Sequence, residues 1–520
     1  MDCEYGTMAG TSGGSCANSS STSDTTPLLE KSLKKKMPEK NIGISQQTLV
    51  SNSGENENSA RKLPQYIAGL ASTLGALAAG MVLGWSSPAG SKLATEYQIP
   101  ISETEFSWIS SIFNLGAATI CVPIGVLSDI IGRKKAMLML VIPFTIGWAL
   151  IIWSNSVVMF DIGRYILGVS GGAFCVTAPM YTGEISESSI RGSLGSYFQL
   201  MLTAGILIAY ILGSVISIFT LSLISAVVPL IFFGVFFFMP ESPTYFLKKG
   251  QIDAARQSYK WLRGSHYNIE PELMAQNEAI ELANRNRVAF TVAIRSKAAQ
   301  KGLFIAFGLM LFQQLSGVNA IIFYSSEIFK SASNTPDEQS DTPTIIVGAM
   351  QVIAVFVSTL IVDKLGRRIL LFISSIAMCI TTLILGVYFY LQSIDYDTLA
   401  FNWLPLASVC AFIILFSIGF GPIPWMMMGE IFSPQIKGIA GSSACLFNWL
   451  MAFVVTKFYS DLKNEFGPHT TFWIFSVICL IGAGFIYMFV PETKGKSLDE
   501  IQVELGGNIP SELPRQNNKI

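Results

Sequence analysis

The chain alternates between long apolar runs and short polar connections. Six runs lie near residues 65–90, 106–127, 136–154, 157–182, 194–215 and 218–239, and six more near 303–328, 343–362, 369–391, 403–428, 439–459 and 471–490. Each is roughly 20 residues long, the length a helix needs to cross the hydrocarbon of a bilayer. In hydrocarbon every backbone N–H and C=O must be satisfied within the structure, so runs of this length predict helices. The longest polar insert runs from 241 to about 299, and its amphipathic pieces, such as 252–262, predict short helices outside the membrane. The pattern predicts an all-α membrane protein with twelve transmembrane helices.

Composition agrees. Hydrophobic residues make up 51% of the 520 and charged residues 13%, with mean hydropathy +0.49. A soluble chain of this size needs far more charge to cover its surface. The net charge of -1 gives no footing for nucleic acid. The eight cysteines follow no metal-ligand spacing and avoid the expected outer loops, so neither a metal nor a disulfide is expected. The two histidines, His266 and His469, lie outside the predicted spans, and no Ser/His/Asp set or phosphate loop is present. An enzyme is therefore not expected, nor a cofactor.

Basic residues set the orientation. Arg133, Lys134, Lys135, Arg191, Lys364, Arg367, Arg368 and Lys437 crowd the connections on one side, and the central insert adds Lys248, Lys249, Arg256, Lys260 and Arg263. By the positive-inside rule that side, with both termini, faces the cytosol. The expected organisation is a disordered cytosolic tail (1–62), a six-helix bundle (63–240), a cytosolic linker with short helices (241–300), a second six-helix bundle (301–491) and a cytosolic tail (492–520). In the first tail Asp24, Leu28 and Leu29 fit an acidic dileucine sorting signal that an adaptor would bind.

The halves repeat each other. Ser128-Asp-Ile-Ile-Gly-Arg133 echoes Val362-Asp-Lys-Leu-Gly-Arg367. Pro179-Met-Tyr-Thr-Gly-Glu184 with Arg191 echoes Pro424-Trp-Met-Met-Met-Gly-Glu430 with Lys437, and Phe238-Met-Pro-Glu241 echoes Phe489-Val-Pro-Glu492. Three motifs in the same order, at the same place relative to the spans, indicate a duplication and two pseudo-symmetric bundles with a site between them.

One run carries unusual polarity. Gln313, Gln314, Ser316 and Asn319 surround Gly317 within the seventh, a place where the helix is expected to loosen. Amides are expensive in hydrocarbon unless satisfied. They either join helices to each other or line a path for a neutral polyhydroxylated solute, since an amide both donates and accepts.

Taken together, Gly163-Arg164, Pro179 to Gly192, Pro240-Glu-Ser-Pro243, Gln313 to Asn319, Gly421-Pro-Ile-Pro-Trp425 and Pro491-Glu-Thr-Lys-Gly495 resemble the sugar porters of the major facilitator superfamily over roughly 63–501. The resemblance implies a facilitative uniporter working by alternating access in the plasma membrane, with an endosomal or lysosomal pool as the alternative. Trp261-Leu-Arg-Gly264, Phe420 to Glu430 and Asn448-Trp449 are similar to members that carry trehalose, with glucose or another hexose as the alternative and a proton symporter or sugar sensor behind them. It implies a sugar site at Gln199, Gln313, Gln314, Asn319, Gln351, Trp425 and Asn448. It also implies gating charges at Asp129, Arg133, Glu184, Arg191, Glu241, Asp363, Arg367, Glu430, Lys437 and Glu492, with helix-end capping as their plainer role. The chain departs from the family at Ser417 and Ala452, where the glucose carriers have a carboxylate and an Asn. It has Val82 where proton-coupled members have an acid, so uniport is expected.

Overall fold

A computed structural model describes residues 60–285, 294–333 and 341–506. Asp24, Leu28 and Leu29 lie outside the described residues, as does the side chain of Asp363. Among the described residues, eleven apolar helices are long enough to cross a membrane, and the last, Ile436–Phe489, is two limbs in sequence. Gly467, at φ +81°, turns the backbone out of the helix just before Pro468, which has no N–H to donate. The chain therefore crosses twelve times, and the described residues form helices without strands.

Local chemistry sets the ends of the spans. Ser102 and Glu105 form a capping box that starts the second span, Glu103–Ile131. Ser217 caps the sixth span, Ile218–Phe236, and Ser296 caps the seventh, Lys297–Phe323. The third span, Arg133–Ile152, and the ninth, Arg367–Ser393, each start after a glycine at positive φ, Gly132 (+104°) and Gly366 (+94°). Among the described residues of the insert, three short helices form before the seventh span: Pro243–Lys248, Ile252–Arg263 and Glu270–Arg285.

Packing within each half uses small residues. The first span, Leu63–Tyr97, and the fifth, Arg191–Val215, touch backbone to backbone; a Cβ on Gly205 would sit 2.2 Å from the Leu77 carbonyl oxygen. Apolar side chains on the outer faces, including Val126, Val158, Phe356 and Leu360, are exposed and form the surface that lipid covers.

Two seams join the halves. The second span runs against the eleventh, the first limb of Pro434–Phe489: Phe113 meets Trp449 edge-on at 6.0 Å, and Cys121 Sγ lies 3.2 Å from Cys445 Sγ. The fifth span runs against the eighth, Thr342–Leu365, where Gly348 packs on Leu207 and Tyr210. Tyr210 donates across the halves to the Ile322 carbonyl at 2.7 Å.

Candidate functional site

The seventh span breaks where its amides cluster. Its helix ends at Leu315, Gly317 turns to φ +87°, and a new helix starts at Val318. A Cβ at Gly317 would lie 2.5 Å from the Phe475 ring, so glycine is required by both conformation and space. The tenth span also breaks, between Ile418 and Ile423, where Gly419, Gly421 and Pro422 interrupt the helix. The two breaks face each other: Gln313 Nε2 donates to the freed carbonyls of Phe420 (2.6 Å) and Gly421 (3.0 Å).

From there the amides form a chain. Asn448 Nδ2 donates to Gln313 Oε1 (2.7 Å), Gln314 Nε2 to Asn448 Oδ1 (3.0 Å), and Asn319 Nδ2 to Gln314 Oε1 (2.6 Å). Gln313, Gln314 and Asn448 are buried. Four of the seven residues implied as sugar contacts therefore form one network linking the seventh, tenth and eleventh spans. The same amides join the helices to each other, which is the first of the two readings of the polar run.

The other three stand apart. Gln351 is buried on the eighth span and Gln199 is half-buried on the fifth, and the side-chain amides of both take no bond from the described residues. Trp425 is 36% exposed just past the tenth-span break, so it is no core side chain.

At the basic end the repeated motifs build the same device twice. Arg133 holds Glu184 (2.9 Å) and Asp129 (2.7 Å); Arg367 holds Glu430 (3.2 Å). Glu241 accepts from the N–H groups of Arg133 and Lys134 that open the third span, and Glu492 from those of Arg367 and Arg368 that open the ninth. The next residue, Ser242 or Thr493, bonds the paired acid, Glu184 or Glu430. A Cβ on Gly132 would meet Glu241 Oε2 at 2.3 Å, and one on Gly366 would meet Glu492 Oε2 at 2.8 Å. The glycines thus exist to admit the capping carboxylates. The bases seven residues after the acids do not pair with them: Arg191 donates to the Ser186 carbonyl and Lys437 to that of Gly429. The described charge pairs here all close within one half.

The two caps differ in electrostatics. Burial pushes the Glu241 carboxyl above its ordinary range, against the pull of the Lys134, Ser242 and Arg133 N–H groups. Glu492 is less buried; burial raises it too, but the N–H groups of Lys494, Arg367, Arg368 and Thr493 outweigh that and hold it low.

The opposite end carries the ties across the halves. Ser87 and Ser326 hydroxyls lie 3.0 Å apart, Asn114 donates to Thr456 (2.8 Å), Asn464 to Glu103 (2.7 Å), and Lys92 pairs with Asp341 (3.7 Å). Lys457, only 7% exposed, donates to Ser107 of the other half (2.8 Å) and sits 5.1 Å over the Trp108 ring. Sequence reasoning missed this closure. Its one signal was a lysine inside an otherwise apolar run.

Arg164, fully buried in the fourth span, Val157–Ile185, is satisfied by neutral atoms: the carbonyls of Val82 (2.7 Å), Ile109 (3.1 Å) and Ser110 (3.5 Å), and Ser86 Oγ (2.7 Å). The rings of Trp85 and Phe113 lie 5.3 and 5.4 Å from its guanidinium carbon. Val82, the position that marks the departure from proton-coupled carriers, supplies one of these bonds through its backbone.

Two pseudo-symmetric helical halves around a central polar network are the architecture of a major facilitator transporter. Solved structures share it: the proton:xylose symporter XylE bound to 6-bromo-6-deoxy-D-glucose superposes with TM-score 0.70 at 24% identity, covering 85% of this chain and 99% of that one. The inward open conformation of the xylose transporter XylE from E. coli gives TM-score 0.68 at 21% identity, over 85% and 98%. The family described as "Sugar (and other) transporter" matches residues 45–505, and the chain belongs to it. Among curated relatives, the facilitated trehalose transporter Tret1 of Bombyx mori is 40% identical over 85% of this chain and 86% of its own. That of Polypedilum vanderplanki is 40% identical over 86% and 88%.

Proposed function

We propose that the chain is a facilitative sugar carrier of alternating access, with trehalose as its first substrate. The amide chain from Gln313 through Asn448 and Gln314 to Asn319 carries this reading. It offers neutral donors and acceptors at mid-depth, suited to a neutral solute rich in hydroxyls. Gln199, Gln351 and Trp425 add free amides and an exposed aromatic face, which suits the C–H face of a sugar ring. The relatives named for trehalose supply the choice of sugar. The basic end faces the cytosol, in a plasma membrane. Its charge pairs, now within each half, exchange partners across the halves when that end shuts. Uptake of labelled trehalose into oocytes tests the substrate: saturable trehalose influx is expected, and glucose influx without trehalose influx would move the reading to a hexose carrier.

The neutral coordination of Arg164 favours uniport, since no titrating partner faces it. One observation favours a second reading, proton coupling: Oδ1 of Asp161, one turn before Arg164, is buried without a hydrogen-bond partner among the described residues. Proteoliposomes with an imposed pH gradient separate the two. Uniport predicts that internal sugar stops at the external concentration, whereas accumulation abolished by a protonophore establishes coupling and makes Asp161 the residue to mutate.

A further inference from the structure

Beyond the central network, one cavity opens at the end opposite the basic face. It holds about 260 Å³ and its walls come from both halves. Ser91, Glu103 and Phe106 line it from the first half, and Tyr324, Ser326 and Glu327 from the second. Phe106 is half-buried, meets Tyr324 edge-on at 6.2 Å, and has Gly90 beside it. A Cβ on Gly90 would come 3.1 Å from the Phe106 ring, so glycine leaves that ring uncovered on this side. Glu103 binds Asn464 through Oε2 and Glu327 binds Lys463 through Oε1, leaving the second oxygen of each carboxylate to accept from a ligand hydroxyl. An aromatic face, two carboxylates and a set of hydroxyls lining one cavity are the chemistry that holds a pyranose ring. The volume is enough to take such a ring.

We infer that this cavity is a second sugar site, and that external sugar bound there holds the outer end shut. This rests on the carrier and the orientation proposed above. The Ser87–Ser326 contact that ties the halves lies in its wall, so parting the halves takes the cavity apart. A ligand that binds only the closed arrangement shifts the population toward it. The central site answers to sugar as substrate, and the outer cavity answers to the same sugar as an inhibitor of entry.

The test is the initial rate of labelled trehalose influx into oocytes across a wide range of external concentration. In the wild type, influx rises, then falls roughly twofold below its maximum by about ten times the half-saturating concentration. Ser91→Trp fills the cavity from its open side and Phe106→Ala removes its ring face. Each is expected to abolish the fall while leaving the initial slope unchanged at equal surface expression. Simple saturation in the wild type, or a fall retained in both variants, overturns the outer site while leaving the carrier reading intact. Absence of saturable sugar influx in the wild type overturns both.

Discussion

Gln313 commits both of its N–H groups to the carbonyls freed at the tenth-span break, and its oxygen to Asn448. Losing such a buried group costs roughly 1–3 kcal/mol. Gln313→Ala is therefore expected to raise the transport KM by about tenfold or abolish uptake. Trp425→Ala, which leaves the amides untouched, is expected to raise KM alone; normal kinetics for both variants at equal surface expression would remove them from the sugar site. The capping glutamates make a prediction in pH. Glu492 sits below its unfolded range, so its stabilisation is present above the ordinary carboxylate range and lost as pH falls through it. Glu241 sits above its unfolded range, so its contribution has the opposite sign: it favours the fold at low pH and is lost as pH rises. Thermal unfolding in detergent across the carboxylate range checks this. Glu492→Gln should flatten the loss of stability on acidification, and Glu241→Gln should steepen it.

At the scale of the element, the seventh span shows what a sequence pattern gives and withholds. The break at Gly317 was legible, because a glycine amid amides inside an apolar run marks a place where a helix loosens. The partners were not. Gln313 bonds carbonyls that lie 107 and 108 residues away, and those carbonyls are free only because the tenth span breaks at the same depth. The basic-end motifs behave alike: their recurrence was legible, but the partners of their charges were not. Arg133 lies 51 residues from Glu184 and reaches it because the third span starts beside the end of the fourth. Gly317→Ala tests the seventh-span break. It needs positive φ from a residue with a Cβ and pushes that Cβ into Phe475, which should cost about 1–3 kcal/mol. Lowered thermal stability and reduced uptake are expected, and a variant of wild-type stability would show that the break tolerates a side chain.

At the scale of the whole molecule, twelve crossings in two related halves followed directly from run length and repeated motifs. The seams between the halves did not. Lys457 and Ser107 are 350 residues apart, and nothing local to either predicts the other. The state of the molecule is likewise a property of the seams, with its cross-half polar ties running from mid-depth to the outer end and its basic-end charge pairs closed within each half.

The coordination of Arg164 has an electrical consequence. Its guanidinium keeps its charge, and its partners are carbonyls, a hydroxyl and two aromatic rings, none of which ionises in the physiological range. The cargo is neutral as well. Under the proposed uniport, a turnover cycle built on these parts returns every charge to its starting place, so net transport would deliver no current and its equilibrium would be independent of membrane voltage. Under voltage clamp, trehalose applied to expressing oocytes should evoke no steady current at any holding potential, whereas a sugar-evoked inward current that grows in acid would show that a proton rides with the sugar.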